Sequence, residues 1–293
     1  SSAKRHPVRS GTIDPPTQQR EIAMNVNVGT IDRVVRIGAG VLLIDVGKLP
    51  GGRSTSQRRI NELLIEHARA DGRDSLTEIE AKQVFAAYGL NVTATHLAQT
   101  EDEAVQLSQK IGYPVVMKIV SPDILHKSDA GGVKVNIKNE ADARAAFKTI
   151  MANSKAYRAD ACIHGIAVQE MAPWGTEVIL GSVNDPTFGP TMMFGLGGIF
   201  VEVLKDVTFR VAPVPTGQAE RMLGEIRGAP ILMGVRGEKP RDRQALAETI
   251  CAYSTMILDL ADEISESDAN PVLVYEEGKG VKVVDARIIL KKK

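Results

Sequence analysis

The sequence predicts an α/β fold, and three features carry the prediction. From Gln57 onward, stretches with apolar residues at helical spacing alternate with short β-branched runs. Two such runs, Pro114 to Val120 and Val133 to Ile137, flank a twelve-residue connection, Ser121 to Gly132. The third feature is the C-terminal stretch SESDANPVLVYEEGKGVKVVDARIIL, which reads as a hairpin turning at Glu276 to Gly280.

Composition narrows the function. The chain has 293 residues, 43% of them apolar, enough for one large domain or two to three subdomains. Basic and acidic residues number 36 each, so the formal net charge is zero and the balance argues against a nucleic-acid or membrane-surface partner. The nearest approach to a spanning helix, Val34 to Val46, falls short of the ~20 apolar residues required and is broken by Arg36 and Asp45. The chain also has no signal-peptide pattern. Cys162 and Cys251 lie far apart in apolar contexts and read as buried free thiols of a reducing compartment, hence the cytoplasm.

Residues 1 to 23 are a polar leader, and residues 25 to 47 resemble the opening of a small family of membrane-associated domains but lack its longer apolar segments. Leu49 to Ser56 is a Gly/Ser linker. The expected organisation is an extension and linker over 1–56, largely irregular, and a folded domain over 57–293.

Ile60, Leu63, Leu64 and Ala68 keep helical spacing, and Gly72 is a stop signal. Thr77 and Glu80 form a capping-box pattern for a second helix, with Ile79, Val84, Phe85 and Tyr88 on its apolar face. A strand over Val92 to Leu97 precedes a helix opened by Thr100. Next come the two runs with their long connection, a helix over Glu140 to Ala152, and a strand over Gly165 to Met171 that contains Glu170. Met171 to Gly175 is a hinge into the strand Thr176 to Gly181, where Glu177 and Ile179 share a face. Thr191 to Phe194 leads to glycines 195, 197 and 198 and then to Phe200 to Val207, with acidic Glu202 and Asp206. Those glycines lack the spacing of a dinucleotide fingerprint. Helices over Thr216 to Arg227 and Arg241 to Ala261 precede the final hairpin.

Two places concentrate chemistry. In the connection, His126 stands among Lys127, Ser128 and Asp129, with Gly131 and Gly132 at the exit, and Lys118 projects from the preceding strand. A strand lysine is a point charge suited to phosphate oxygens, a neutral imidazole nitrogen can attack phosphorus, and paired glycines let backbone N–H groups approach an anion. Without that task, Lys118 would be a lysine that snorkels to the surface and His126 a polar loop residue. In the final hairpin, alternation puts Asp268 and Asn270 on one face, and pairing across the turn brings Asp285 within a residue or two of Asn270. An amide and carboxylates completed by nucleotide phosphates suit Mg²⁺, while a solvated hairpin face with Asn-Pro turn chemistry is the plainer reading.

From about Ile60 to Leu290 the chain resembles the ATP-grasp β subunit or domain of NDP-forming acyl-CoA synthetases, and more distantly the β subunit of succinyl-CoA synthetase. The resemblance is carried by LTEIEAK (76–82), IGYPVVMKIVSPDILHKSDAGGVKV (111–135), NDPTFGPTMMFGLGGIFVEVLKDV (184–207), RG (236–237), ESDANP (266–271) and VDAR (284–287). It implies an ATP-grasp fold of two to three subdomains with nucleotide held between mixed sheets. It implies ATP or ADP held by Lys118 and Glu170, with Glu177 nearby and with Lys82, Gly131 and Gly132 also in the nucleotide set. It makes His126 the phosphoryl acceptor, Asp268 the acid that steadies the phosphohistidine loop or metal, and Asn270 and Asp285 the Mg²⁺ ligands.

The implied activity is the β-subunit half of an ADP-forming carboxylate–CoA ligase acting on a small carboxylate. CoA would be bound mainly by a partner α subunit with a CoA-binding domain and a second phosphohistidine. Ser267 and Ala269 stand where the family has larger residues, which implies looser packing there. Two other readings are a non-catalytic nucleotide-sensing module, favoured by loss of the histidine or metal ligands, and a carboxylate–amine ligase, which would need no phosphorylatable histidine.

Overall fold

The computed structural model describes residues 53–124, 126–198, 204–235 and 237–292. The apolar run 34–46, the first part of the linker, Phe200, Glu202 and Arg236 lie outside the described residues.

The fold opens with α1 (Arg53–Ala70), so residues 53–56, expected to close an irregular linker, already belong to a helix. Ile60, Leu64 and Ala68 of α1 are buried on one face as their spacing requires. The next helix, α2 (Glu78–Ala87), starts at a complete capping box between Thr77 and Glu80, whose carboxylate also binds Arg73. That cap fixes the first turn of α2, and with it Glu78 and Lys82, which lie one turn apart on the buried side.

Strands β1 (Thr95–Ala98), β2 (Val115–Val120), β3 (Val133–Ile137) and β4 (Gly165–Glu170) form a four-stranded sheet in the order β1-β4-β2-β3. Between them in sequence lie α3 (Glu101–Ile111) and α4 (Glu140–Tyr157), the latter running five residues beyond expectation. Both pack on one face, where Ala104, Val105, Ala143 and Ile150 meet Val115, Met117, Ile119 and Val168. The opposite face meets α2 through Ile79, Val120 and Ala167. With both faces covered, every residue of β2 is buried, Lys118 included.

The edge strand β3 departs from the alternation its sequence predicts, since Val135 is exposed. A register shift between Val115 and Met117, opposite Asn136 at φ 58°, returns Ile137 to the core.

The hinge 171–175, with Trp174 90% exposed, leads into the second sheet. Its strands are β5 (Thr176–Asp185), β6 (Gly189–Leu196), β7 (Val207–Val211), β8 (Ile264–Val274), β9 (Val281–Val283) and β10 (Ala286–Leu290). The order is β10-β8-β5-β6-β7, and β9 also pairs with β8. Every ladder in both sheets is antiparallel, where mixed sheets were expected. The parallel pairing present is the isolated bridge Val92–Val283.

Helices α5 (Thr216–Glu225), α6 (Ala229–Met233) and α7 (Arg243–Asp259) join α1 and α2 on one face of this sheet. Tyr253 of α7 meets Phe85 of α2 edge-on at 5.8 Å. Its hydroxyl bonds Ser267 Oγ at 2.7 Å and donates to the Ser267 carbonyl at 2.9 Å, and Ser182 Oγ lies 2.6 Å from Ser267 Oγ. Ser267 and Ala269, where looser packing was expected, are both buried, and the hydroxyl network satisfies the polar atoms it gathers. The cysteine reading is also corrected: Cys162 is exposed in the turn after α4 and Cys251 is half-buried on α7, both free thiols.

Candidate functional site

A buried lysine must find acceptors, and the cluster around Lys118 is built from that requirement. Its Nζ donates to Glu78 Oε1 at 2.8 Å and to Asp285 Oδ2 at 3.3 Å, which leaves one of its three N–H donors for the adjoining cleft. Glu78 accepts from three lysines: Lys82 at 2.9 Å, Lys118 at 2.8 Å and Lys127 at 2.7 Å. The ammonium of Lys82 also contacts Thr93, Thr95 and Gln169, so its donors are fully engaged.

Burial opposes ionisation of Glu78, yet the three lysines hold its carboxyl well below the usual carboxylate range. Burial likewise opposes the charge on Lys118, but Glu78 and Asp285 raise its pKa. Lys82 goes the other way, brought down to about 8 because burial outweighs the one carboxylate in contact with it. The same ion pair thus moves its partners differently: Glu78 has three cations at contact and Lys82 a single shared anion.

A cleft of about 380 Å³ opens beside this cluster, lined by Lys118, His126, Lys127, Ser128, Asp129, Val133 and Asp285. Its wall is the connection between β2 and β3. The Ile119 N–H donates to the Gly132 carbonyl at 2.8 Å, and the Gly132 N–H donates to the Lys127 carbonyl at 2.8 Å. A Cβ at Gly132 would stand 2.6 Å from Ile119 Cγ2, and Gly131 has φ 61° with its carbonyl accepting from Asn153. Both glycines therefore serve the turn that returns the chain to β3. His126 is exposed at the apex.

Lys118, His126 and Asp285 are brought together, although Lys118 comes from the first sheet and Asp285 from the second. Asp285 sits between β9 and β10 and accepts from the Ala286 N–H at 2.9 Å. Its carbonyl accepts from the Asn270 N–H at 3.2 Å, which places Asn270 directly across from it. That bond joins the two backbones, whereas Asp285 lines the His126 cleft and Asn270 does not, so of the two expected Mg²⁺ ligands the cleft holds the carboxylate, which suits an ion that takes few protein oxygens and relies on phosphates and water for the rest. Among the described residues no group of three or more His, Cys, Asp or Glu is gathered for a metal.

The remaining candidates stand elsewhere. Asp268 lies with Asn270 in a separate groove of about 450 Å³ on the open face of the second sheet, where Asp268 Oδ1 meets Arg287 Nε at 2.6 Å. Glu170 flanks the hinge, bound to Lys282 at 2.8 Å and to the Ala94 N–H at 3.0 Å. Burial opposes its charge, but these two donors lower its pKa. Glu177 is exposed, and its carbonyl accepts from the Gly197 N–H at 2.8 Å. Lys82 does not line the cleft. Sequence reading missed Glu78, and Lys127 entered it only as a neighbour of His126. The Glu-x-x-x-Lys spacing of Glu78 and Lys82 is the local signal that was available.

Comparison with known proteins gives the family of the fold. Residues 67–290 match the family model described as ATP-grasp domain. The chain is 53% identical over 227 residues to the β subunit of ADP-forming acetate–CoA ligase I of Pyrococcus furiosus, covering 78% of this chain and 96% of that one. Two solved structures of the dinucleotide forming acetyl-coenzyme A synthetase 1 of Ca. Korarchaeum cryptofilum are also similar. One, with coenzyme A, acetyl-coenzyme A and a phosphorylated phosphohistidine segment in a site I orientation, has TM-score 0.73 at 47% identity and covers 78% of this chain and 99% of that one. The other, with coenzyme A and Mg-AMPPCP, has its phosphohistidine segment pointing towards the nucleotide binding site, with TM-score 0.70 at 46% identity and the same coverage. The chain belongs to the ATP-grasp family, and within it to the β subunits and domains of ADP-forming acyl-CoA synthetases.

Proposed function

We propose that this chain is the nucleotide-handling β subunit of an ADP-forming carboxylate–CoA ligase, with His126 carrying the phosphoryl group. The overall reaction is carboxylate + ATP + CoA ⇌ acyl-CoA + ADP + phosphate. The observation that carries the proposal is the convergence of Lys118, His126 and Asp285 on one cleft.

In the direction of ATP use, a neutral ring nitrogen of His126 attacks the γ-phosphorus. An N–P bond forms, the bond to the β,γ-bridging oxygen breaks, and ADP leaves with that electron pair. Lys118, held charged by Glu78 and Asp285, offers its remaining N–H to the transferring group and offsets its charge. Asp285 in the cleft, with Asn270 from the same hairpin, would hold Mg²⁺, which would supply further charge neutralisation. Gly131 and Gly132 shape the loop, Lys82 keeps Glu78 in place, and Glu170 and Glu177 serve the nucleotide at the hinge. Asp268 lies outside the His126 cleft and is assigned to the stage after His126 has left it.

The partner is an α subunit that binds CoA and bears a second phosphohistidine, and the phosphoryl group reaches it on the loop. Free thiols at Cys162 and Cys251 accord with a cytoplasmic setting. Among the described residues no helix is long and apolar enough to cross a membrane. A phosphorylatable histidine in the cleft also disfavours the nucleotide-sensing and carboxylate–amine ligase readings.

The test is to incubate the chain with MgATP labelled in the γ-phosphate and look for an acid-labile, alkali-stable label at His126. His126→Ala is expected to abolish the label, and with the α subunit added the parent is expected to release ADP beyond the single equivalent of the labelling step only when carboxylate and CoA are present. Full activity of His126→Ala with the α subunit would sink the proposal.

A further inference from the structure

Glu78 holds more positive charge than its own burial requires. Lys82 and Lys118 already balance the carboxylates of Glu78 and Asp285, yet Lys127 adds a third ammonium at 2.7 Å. Lys127 is the chain neighbour of His126, and the two ends of the same loop are anchored differently. At the entrance, Asp123 accepts from the Cys162 N–H at 2.7 Å and its carbonyl accepts from Arg158 at 3.2 Å. At the exit, Asn153 holds the Gly131 carbonyl. The apex residues His126, Ser128 and Asp129 are exposed. The Lys127 side chain ties that apex to α2.

We infer that Glu78 is a positioning residue, whose ion pair with Lys127 seats His126 against Lys118 and Asp285 and whose rupture frees the apex while both loop ends stay fixed. The inference rests on His126 being the phosphoryl carrier. It gives Glu78 two tasks at separate oxygens: Oε1 holds Lys82 and, in the cleft wall, Lys118, and Oε2 holds the Lys127 side chain of the loop. Departure of the apex therefore breaks one side-chain contact to α2, besides any turn bonds within the loop that open with it, and leaves the lysine pair in place for nucleotide.

The experiment pairs hydrogen exchange of the full chain with the rate of labelling from MgATP. The side chain of Lys127 is 26% exposed, so Lys127→Gln is the substitution least prone to disturb folding. In Lys127→Gln the amides of the loop apex are expected to exchange about tenfold faster, as loss of one charge-assisted contact predicts, with β2 and α2 unchanged. Labelling at saturating MgATP should slow by about tenfold while the KM for MgATP stays within about twofold, and Lys127→Arg should restore both. Glu78→Gln should loosen the same amides.

If the parent takes label but the apex exchanges equally in parent and Lys127→Gln, the tether is overturned and the carrier reading stands. A loss confined to KM also overturns it, by assigning Lys127 to phosphate binding. A parent that takes no label overturns the carrier reading and the transfer role of Glu78 with it.

Discussion

Lys118 Nζ lies 3.3 Å from Asp285 Oδ2, joining a strand of the four-stranded sheet to the gap between β9 and β10 of the other. A nucleotide phosphate drawn to Lys118 and an ion drawn to Asp285 would meet at this junction. Lys118→Ala and Asp285→Ala are therefore each expected to weaken MgADP binding by about ten- to a hundredfold, the range of one charge-assisted contact. Isothermal calorimetry decides it. Parent-like affinity in both variants would remove the nucleotide from this cleft.

Glu78 makes stability depend on pH in one direction. Its carboxyl is held below the ordinary value of 4.5 in the fold, so its contribution is complete above that pH and is lost as pH falls through the folded value. The stability gap between parent and Glu78→Gln, from urea denaturation, should narrow as pH falls below about 4.5 from its value at about pH 5.5, well below the Lys82 titration. A gap that stays level to about pH 3 would mean that the fold leaves the Glu78 carboxyl at its ordinary value.

Tyr253 is fully buried, with its hydroxyl shared among Ser182, Ser267 Oγ and the Ser267 carbonyl. Tyr253→Phe removes no packing volume to speak of but leaves Ser267 short of a partner. A loss of about 1–3 kcal/mol is expected in denaturant titrations. No loss would show that the network carries no net stability.

At Gly132 an added methyl meets Ile119 Cγ2 at 2.6 Å and the Lys127 carbonyl at 3.0 Å, neither of them the far end of a flexible chain. Gly132→Ala should cost about 1–3 kcal/mol through overpacking. It should also slow His126 labelling. A variant as stable and as readily labelled as the parent would show that the turn has room to shift.

The sequence was most legible where local chemistry is self-contained. Thr77 and Glu80 sit three residues apart and form their capping box as read, and the β2–β3 pair with its long loop announced Lys118 and His126. Asp285 was found because hairpin pairing is arithmetic, and Asn270 does lie opposite it. Glu78 was not legible, because the lysines that define it come from 40 and 49 residues away and an i,i+4 pair on a helix is commonplace on solvated faces. The cysteines were misread for a related reason: apolar neighbours in sequence do not fix which side of a turn or helix a residue faces. The Ser267 network was hidden because its partner, Tyr253, reads in sequence only as part of an apolar stripe.

The chain contains a single tryptophan, and it is Trp174, almost wholly in water on the short link between β4 and β5. Intrinsic indole emission therefore reports one place only, the joint on which the two sheets meet in sequence, and starts from the red-shifted, readily quenched limit of a hydrated ring. Nucleotide, coenzyme A or a partner subunit that covers this link will announce itself as a blue shift and a loss of iodide quenching, without any label. Ligands that leave the joint open will be silent, so one cuvette separates events at the hinge from events confined to the His126 cleft.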